Sequence, residues 1–93
     1  MRFSYNNIKF KRHPYENWLV ISGEVTNESG KNFHAVVFRI LVFIKTTPIG
    51  NIIVPIKGFQ VGQTRTFEAP VGEVDYKMLE QISRYEIYPE SAY

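Results

Sequence analysis

Apolar and polar residues alternate along most of this chain with a period of two, and clusters of Gly, Pro, Asn and Ser interrupt the alternation. Residues 2–12 place Phe3, Tyr5, Ile8 and Phe10 among polar neighbours, and the slip across Asn6-Asn7 predicts a turn or bulge. His13-Pro14 should end that strand, because proline offers no ladder donor and pushes its predecessor into extended geometry. The next segment, 18–26, has Leu19, Ile21, Gly23 and Val25 on one face and Trp18, Val20, Ser22, Glu24 and Thr26 on the other. Asn27-Glu28-Ser29-Gly30-Lys31 then reads as a turn.

The longest strand expected is 33–46. Val36, Phe38, Ile40, Val42 and Ile44 share one face; Val37, Arg39, Leu41, Phe43 and Lys45 share the other. Two largely apolar faces predict a central strand, covered on both sides over part of its length. Its branched residues argue against a helix. Pro48-Ile49-Gly50-Asn51 reads as a turn, and 52–56 as a short strand whose Pro55 implies an edge. After a glycine-punctuated connection at 58–63 comes a strand at 64–69. Residues 75–83 form the one plausible helix: Asp75 can cap it, and Leu79 and Ile82, joined by Met78, make a narrow apolar stripe. Tyr85, Ile87 and Tyr88 should close the fold, with Pro89 as the stop. Six or seven short strands at this spacing predict an all-β sandwich or small barrel in a single domain covering 1–93.

Composition supports strands. The 93 residues include seven Phe, six Tyr and one Trp alongside abundant Val and Ile, which suit a pleated, half-buried surface. With no cysteine, disulfides and thiolate metal sites are excluded. A net charge of +2 with mixed signs is far from the footprint of a dedicated nucleic-acid binder. The most apolar run, 36–44, is too short for a transmembrane helix and is interrupted by Arg39. The N-terminus shows no signal-peptide pattern.

The stretch from Trp18 to Pro70 resembles the FxLYD-type immunoglobulin-like domain of bacterial and archaeal proteins and is similar in layout to late-embryogenesis-abundant type 2 sandwiches. The resemblance is carried by the GEVTN strand end at 23–27, the turn at Ser29-Gly30, the VVFRILVFI strand at 36–44, the connection at 48–51 and the VGQTRTFEAP element at 61–70. Where that family has Phe-x-Leu-Tyr-Asp, this chain has Phe43-Ile44-Lys45-Thr46-Thr47. The resemblance implies an immunoglobulin-like β-sandwich that is non-catalytic, belongs to exported or envelope-associated proteins and brings no catalytic residues with it.

The candidate chemistry is sparse. His13 and His34 show no paired metal-ligand spacing. Ser22 and Ser29 have no nucleophile elbow, and Asp75 is the sole aspartate. Glu68 with Glu73, and Glu86 with Glu90, sit among polar or turn residues, where paired acid–base work is not expected. Gly58 to Gly62 lacks the context of a phosphate cradle. Asn27-Glu28-Ser29 matches a glycan acceptor pattern. No catalytic, cofactor or metal residue is therefore expected.

Two functions remain in view. The first is a structural or protein-interaction module that docks through a strand edge, at 3–10 or 85–88, or through aromatic anchors (Tyr5, Tyr15, Trp18, Tyr85, Tyr88, Tyr93), with a homodimer among the possible partners. The second is a single-stranded nucleic-acid-binding small β-barrel that uses the basic–aromatic segment 9–15, Lys9-Phe10-Lys11-Arg12-His13-Pro14-Tyr15. Against it, four basic side chains make few phosphate contacts, and edge-strand lysines also serve to block sheet-to-sheet pairing.

Overall fold

The computed structural model of the chain describes residues 2–93, apart from the side chain of Glu73. It contains six strands: β1 (Phe3–Arg12), β2 (Trp18–Asn27), β3 (Phe33–Ile44), β4 (Thr47–Phe59), β5 (Thr64–Asp75) and β6 (Arg84–Ala92). A 3₁₀ helix, Tyr76–Gln81, precedes β6. The strands form two antiparallel three-stranded sheets, ordered β1-β2-β5 and β4-β3-β6. This is the expected all-β sandwich with its short helix before the last strand; the sheets do not close into a barrel.

One apolar cluster lies between the sheets. Leu19, Ile21, Val25, Phe67 and Val71 come from the first sheet, and Val36, Phe38, Ile40, Val42, Ile52, Val54, Ile56 and Phe59 from the second. Burying these alternate faces is what fixes register, since a one-residue slip would turn each strand's apolar set to water. Phe3 and Tyr5 extend the cluster at the β1 side: Phe3 stacks at 5.8 Å on Phe59, and both rings meet Phe38 edge-on.

Two glycines let side chains of one strand settle onto the backbone of another. A Cβ on Gly23 would lie 2.4 Å from the Ile8 side chain, and one on Gly50 would lie 2.4 Å from Val71. Gly50 explains where the sequence reading of this region fails. Pro48 to Asn51 is not a turn: the chain reverses at Lys45-Thr46, and β4 runs unbroken from Thr47 to Phe59. Glycine is needed there because Val71 of the opposite sheet packs on it. Ser83 braces the actual turn. Its hydroxyl accepts the Lys45 N–H at 2.7 Å, and its own N–H donates to the Phe43 carbonyl. Lys45 takes φ +56° there.

Other boundaries shift for similar reasons. β3 is central, between β4 and β6, but it ends at Ile44, and no third layer covers its second face. β5 continues past Ala69 to Asp75. β6 runs through Pro89 to Ala92, because an edge strand does not need every N–H in the ladder. The predicted helix at 75–83 shrinks to one 3₁₀ element; Asp75 caps it, its carboxylate accepting the Lys77 N–H at 2.8 Å. The slip at Asn6-Asn7 is a β-bulge with Asn7 at φ +55°, as the broken alternation implied. No helix among the described residues is long and apolar enough to cross a membrane.

Candidate functional site

Register assigns the outward residues of each sheet. On the first sheet, the cross-strand rows are Ser4–Thr26–Thr64, Asn6–Glu24–Thr66, Lys9–Ser22–Glu68 and Lys11–Val20–Pro70. Most positions are polar, and several are engaged across the strands. The Thr26 and Thr64 hydroxyls share a hydrogen bond at 2.7 Å, Asn7 donates to Glu24, and Lys11 pairs with Glu68 at 3.0 Å. Val20 and Pro70, paired in one row, are the apolar exceptions, and Val20 is buried.

The second sheet presents different chemistry. Its outward rows are Pro55–Val37–Ser91, Ile53–Arg39–Tyr88, Asn51–Leu41–Glu86 and Pro48–Phe43–Arg84. Val37, Leu41 and Phe43 run down the middle, flanked by Ile53 and Pro55 on β4 and Tyr88 on β6. Ile53 is 53% exposed and Tyr88 40%. The Arg84 guanidinium lies 3.9 Å above the Phe43 ring and shields it.

Arg39 is the one charge in the middle strand of this face, and its neighbours neutralise it. Its Nη2 donates to both Glu90 carboxylate oxygens at 2.8 and 2.9 Å, Nε donates to Glu90 Oε1 at 3.2 Å, and Nη1 donates to Asn51 Oδ1 at 2.6 Å. A bulge in β6 supplies the partner. Pro89 pairs with Phe38 and Ser91 with Val37, so Glu90 is the extra residue and remains outside while Ala92 returns to the core. The guanidinium is held across three strands by a forked, charge-assisted contact. The face is thus apolar with a self-compensated polar centre.

The candidates read from sequence are dispersed. His13 is in the β1–β2 turn and His34 at the start of β3, at opposite ends of the sandwich. Among the described residues, no three His, Cys, Asp or Glu side chains converge as a metal-binding group. Asp75 is committed to its helix cap, and the Ser29 hydroxyl donates to Asn27 Oδ1 at 2.6 Å. Glu68, Glu86 and Glu90 all form ion pairs. The Glu73 side chain lies outside the described residues. Gly58 and Gly62 take positive φ around the β4–β5 turn, where the Val61 N–H donates to Asn32.

Segment 9–15 is split by its own alternation. Phe10 turns inward and meets Tyr85 at 5.9 Å, while Lys11 turns outward to Glu68. Tyr15 and Trp18 pack on His13 at the hairpin tip, a turn away. Cations and rings therefore do not form one continuous strip.

Asn27 within the Asn27-Glu28-Ser29 pattern is fully buried. Its amide nitrogen donates to the Lys31 and Phe59 carbonyls at 2.8 and 3.2 Å, and its oxygen accepts from the Ser29 N–H and hydroxyl. The side chain latches the β2–β3 turn to the end of β4, so the carboxamide is closed to a glycan in the folded chain.

The expected docking edges are sheet edges, but both are guarded. β1 has the Asn7 bulge with Lys9 and Lys11; β6 has Pro89 and its own bulge. The aromatic anchors do not share one patch: Tyr5 turns inward, Tyr85 lies against Phe10 on the inner side of β6 yet stays 41% exposed, Tyr88 belongs to the outer face of the second sheet, and Tyr93 pairs with Ala35 through its backbone. Val37 and Leu41 were the residues whose role the sequence misassigned; Phe43 is buried on this face, as expected, but beneath Arg84 and not beneath another layer. The available signal was Arg39, since a charge inside an apolar alternation marks a face that meets solvent. Burial raises the pKa of the Tyr5 hydroxyl to about 12.

No family model, curated protein or solved structure matches the chain.

Proposed function

We propose that this chain is a non-catalytic protein-interaction module of immunoglobulin-like type that binds through the outer face of the β4-β3-β6 sheet. The observation that supports this reading most is the composition of that face: Val37, Leu41, Ile53, Pro55 and Tyr88 around an Arg39 already neutralised by Glu90 and Asn51. Covering a face of this kind gains apolar burial without stranding a charge. The FxLYD resemblance adds the expectation of an exported or envelope-associated setting. The guarded edges make strand addition a weaker route than face docking.

A photoreactive phenylalanine analogue at position 53, compared with one at position 66 on the opposite face, tests this reading in extracts containing native partners. Protein adducts concentrated at position 53 are expected. Equal yields at both positions, or adducts confined to position 66, would overturn the choice of face. The nucleic-acid reading predicts instead that labelled single-stranded oligonucleotides bind at low salt and that Lys9→Glu weakens binding; the split of segment 9–15 disfavours it.

A further inference from the structure

We infer that the free edge of β5, from Thr64 to Ala69, takes an extended acidic peptide segment as an added strand. This site is separate from the outer face of β4-β3-β6 and does not depend on it.

β4 and β5 are edge strands of opposite sheets, and they meet at two places. Val71 packs on Gly50, and Arg65 Nη1 donates to the Lys57 carbonyl at 2.9 Å. Between the strands lies a groove of about 530 Å³, lined by residues 53–57 and 65–69. The core shows through there: Val54, Ile56 and Phe67 keep 8%, 5% and 9% exposure, against 0% for Leu19, Ile21 and Ile40 at its centre.

Backbone parity leaves this edge open. The Asn27 N–H donates to the Gln63 carbonyl, and the register with β2 then runs one to one from Thr26–Thr64 to Val20–Pro70. In an antiparallel ladder Arg65, Phe67 and Ala69 therefore bond β2, while the N–H and C=O groups of Thr64, Thr66 and Glu68 point away from it. Pro70 has no donor and ends the run. β1 and β6 carry bulges and β4 carries Pro55, whereas 64–69 has neither bulge nor proline.

Charge selects the occupant. Arg65 is half-buried, and its acceptor among the described residues is one backbone carbonyl. Neither Arg65 nor Lys57 is in an ion pair among those residues, while Glu68, the carboxylate lining the groove, is paired with Lys11. A second copy joined β5 to β5 would gather two Arg65 and two Lys57 at one seam. A carboxylate on an incoming strand instead gives the Arg65 guanidinium the forked partner that Arg39 already has in Glu90.

An amide NMR titration of the purified chain tests this with a capped octapeptide of alternating Val and Thr in which Glu replaces one central Val. Saturable shifts at the Thr64, Thr66 and Glu68 amides are expected, with a Kd of about 0.1–1 mM. Replacing that Glu by Lys, or N-methylating the peptide backbone, should abolish them, and Arg65→Gln should weaken binding about fivefold. Circular dichroism melts check that Arg65→Gln keeps the fold; the two peptide variants test the site on the unaltered chain in any case. No shift at these amides, equal shifts with the Lys peptide, or indifference to N-methylation overturns the inference. Tighter binding by Arg65→Gln would make Arg65 a guard of the edge and overturn it too. Shifts confined to Val37, Leu41 and Tyr88 would remove the edge site and leave the outer-face reading standing.

Discussion

The two sheets share one core yet turn opposite chemistry outward. On β1-β2-β5, hydroxyls, lysines and glutamates satisfy one another across the strands, and water covers what is left. On β4-β3-β6, apolar side chains occupy most outward positions, and the charges of β3 and β6 among them pair with one another, Arg39 with Glu90 and Arg84 with Glu86. The first surface is finished as a monomer. The second is finished only electrostatically, because Val37, Ile53 and Tyr88 still expose apolar area whose burial would release free energy. Both sheets contribute inner faces to the one core, so core burial alone does not account for the difference.

Substitutions can break that contrast, starting with the largest effect. Phe43→Ala, on the outward side of β3 but nearly buried beneath Arg84, should cost about 3 kcal/mol in urea unfolding; Thr66→Ala, its counterpart on the other face, should stay within about 0.5 kcal/mol. A cost near zero for Phe43 would make the two faces alike. Glu90→Gln removes the carboxylate from a partly buried guanidinium and should cost about 1–2 kcal/mol. The same assay on Lys11→Met, which removes an exposed pair, should show less than about 0.5 kcal/mol. Equal losses would mean that the clamp is no more than another surface ion pair.

An effect confined to alkaline pH comes from between the sheets. The folded chain holds the Tyr5 proton until about pH 12, whereas an unfolded tyrosine releases it near 10. The unfolded state therefore binds fewer protons over that interval, and stability should fall as pH rises from about 10 to about 12. Tyr5→Phe should remove this part of the alkaline loss. Melting temperatures of both proteins between pH 9 and 12 would show the difference, and parallel curves would place Tyr5 in water instead of against Phe38.

Much of the fold could be read from the alternation. The inward sets of β2 and β3, the central place of β3, the edge position of β4 announced by Pro55, the Asn6-Asn7 bulge and the Asp75 cap all follow from local pattern and local chemistry. Errors clustered where a residue has two uses. Gly50 signals a turn, but its service is to let Val71 reach the β4 backbone. Pro89 signals a stop, yet an edge strand tolerates it. For the candidate site, the residue set was in view but its role was not: Val37 and Leu41 read as covered because hydrophobicity marks what prefers burial without saying whether a covering layer exists.

The chain alone determined which side chains face together, because a period of two divides each strand into two sets whatever it pairs with. Only the tertiary structure decided which of those sets met the opposite sheet, which met solvent, and that Glu90 would sit over Arg39. Those outcomes depend on contacts between residues far apart in the chain, Arg39 with Glu90, 51 positions on, among them, and such pairings are set by the packing of whole sheets and leave no mark in local periodicity.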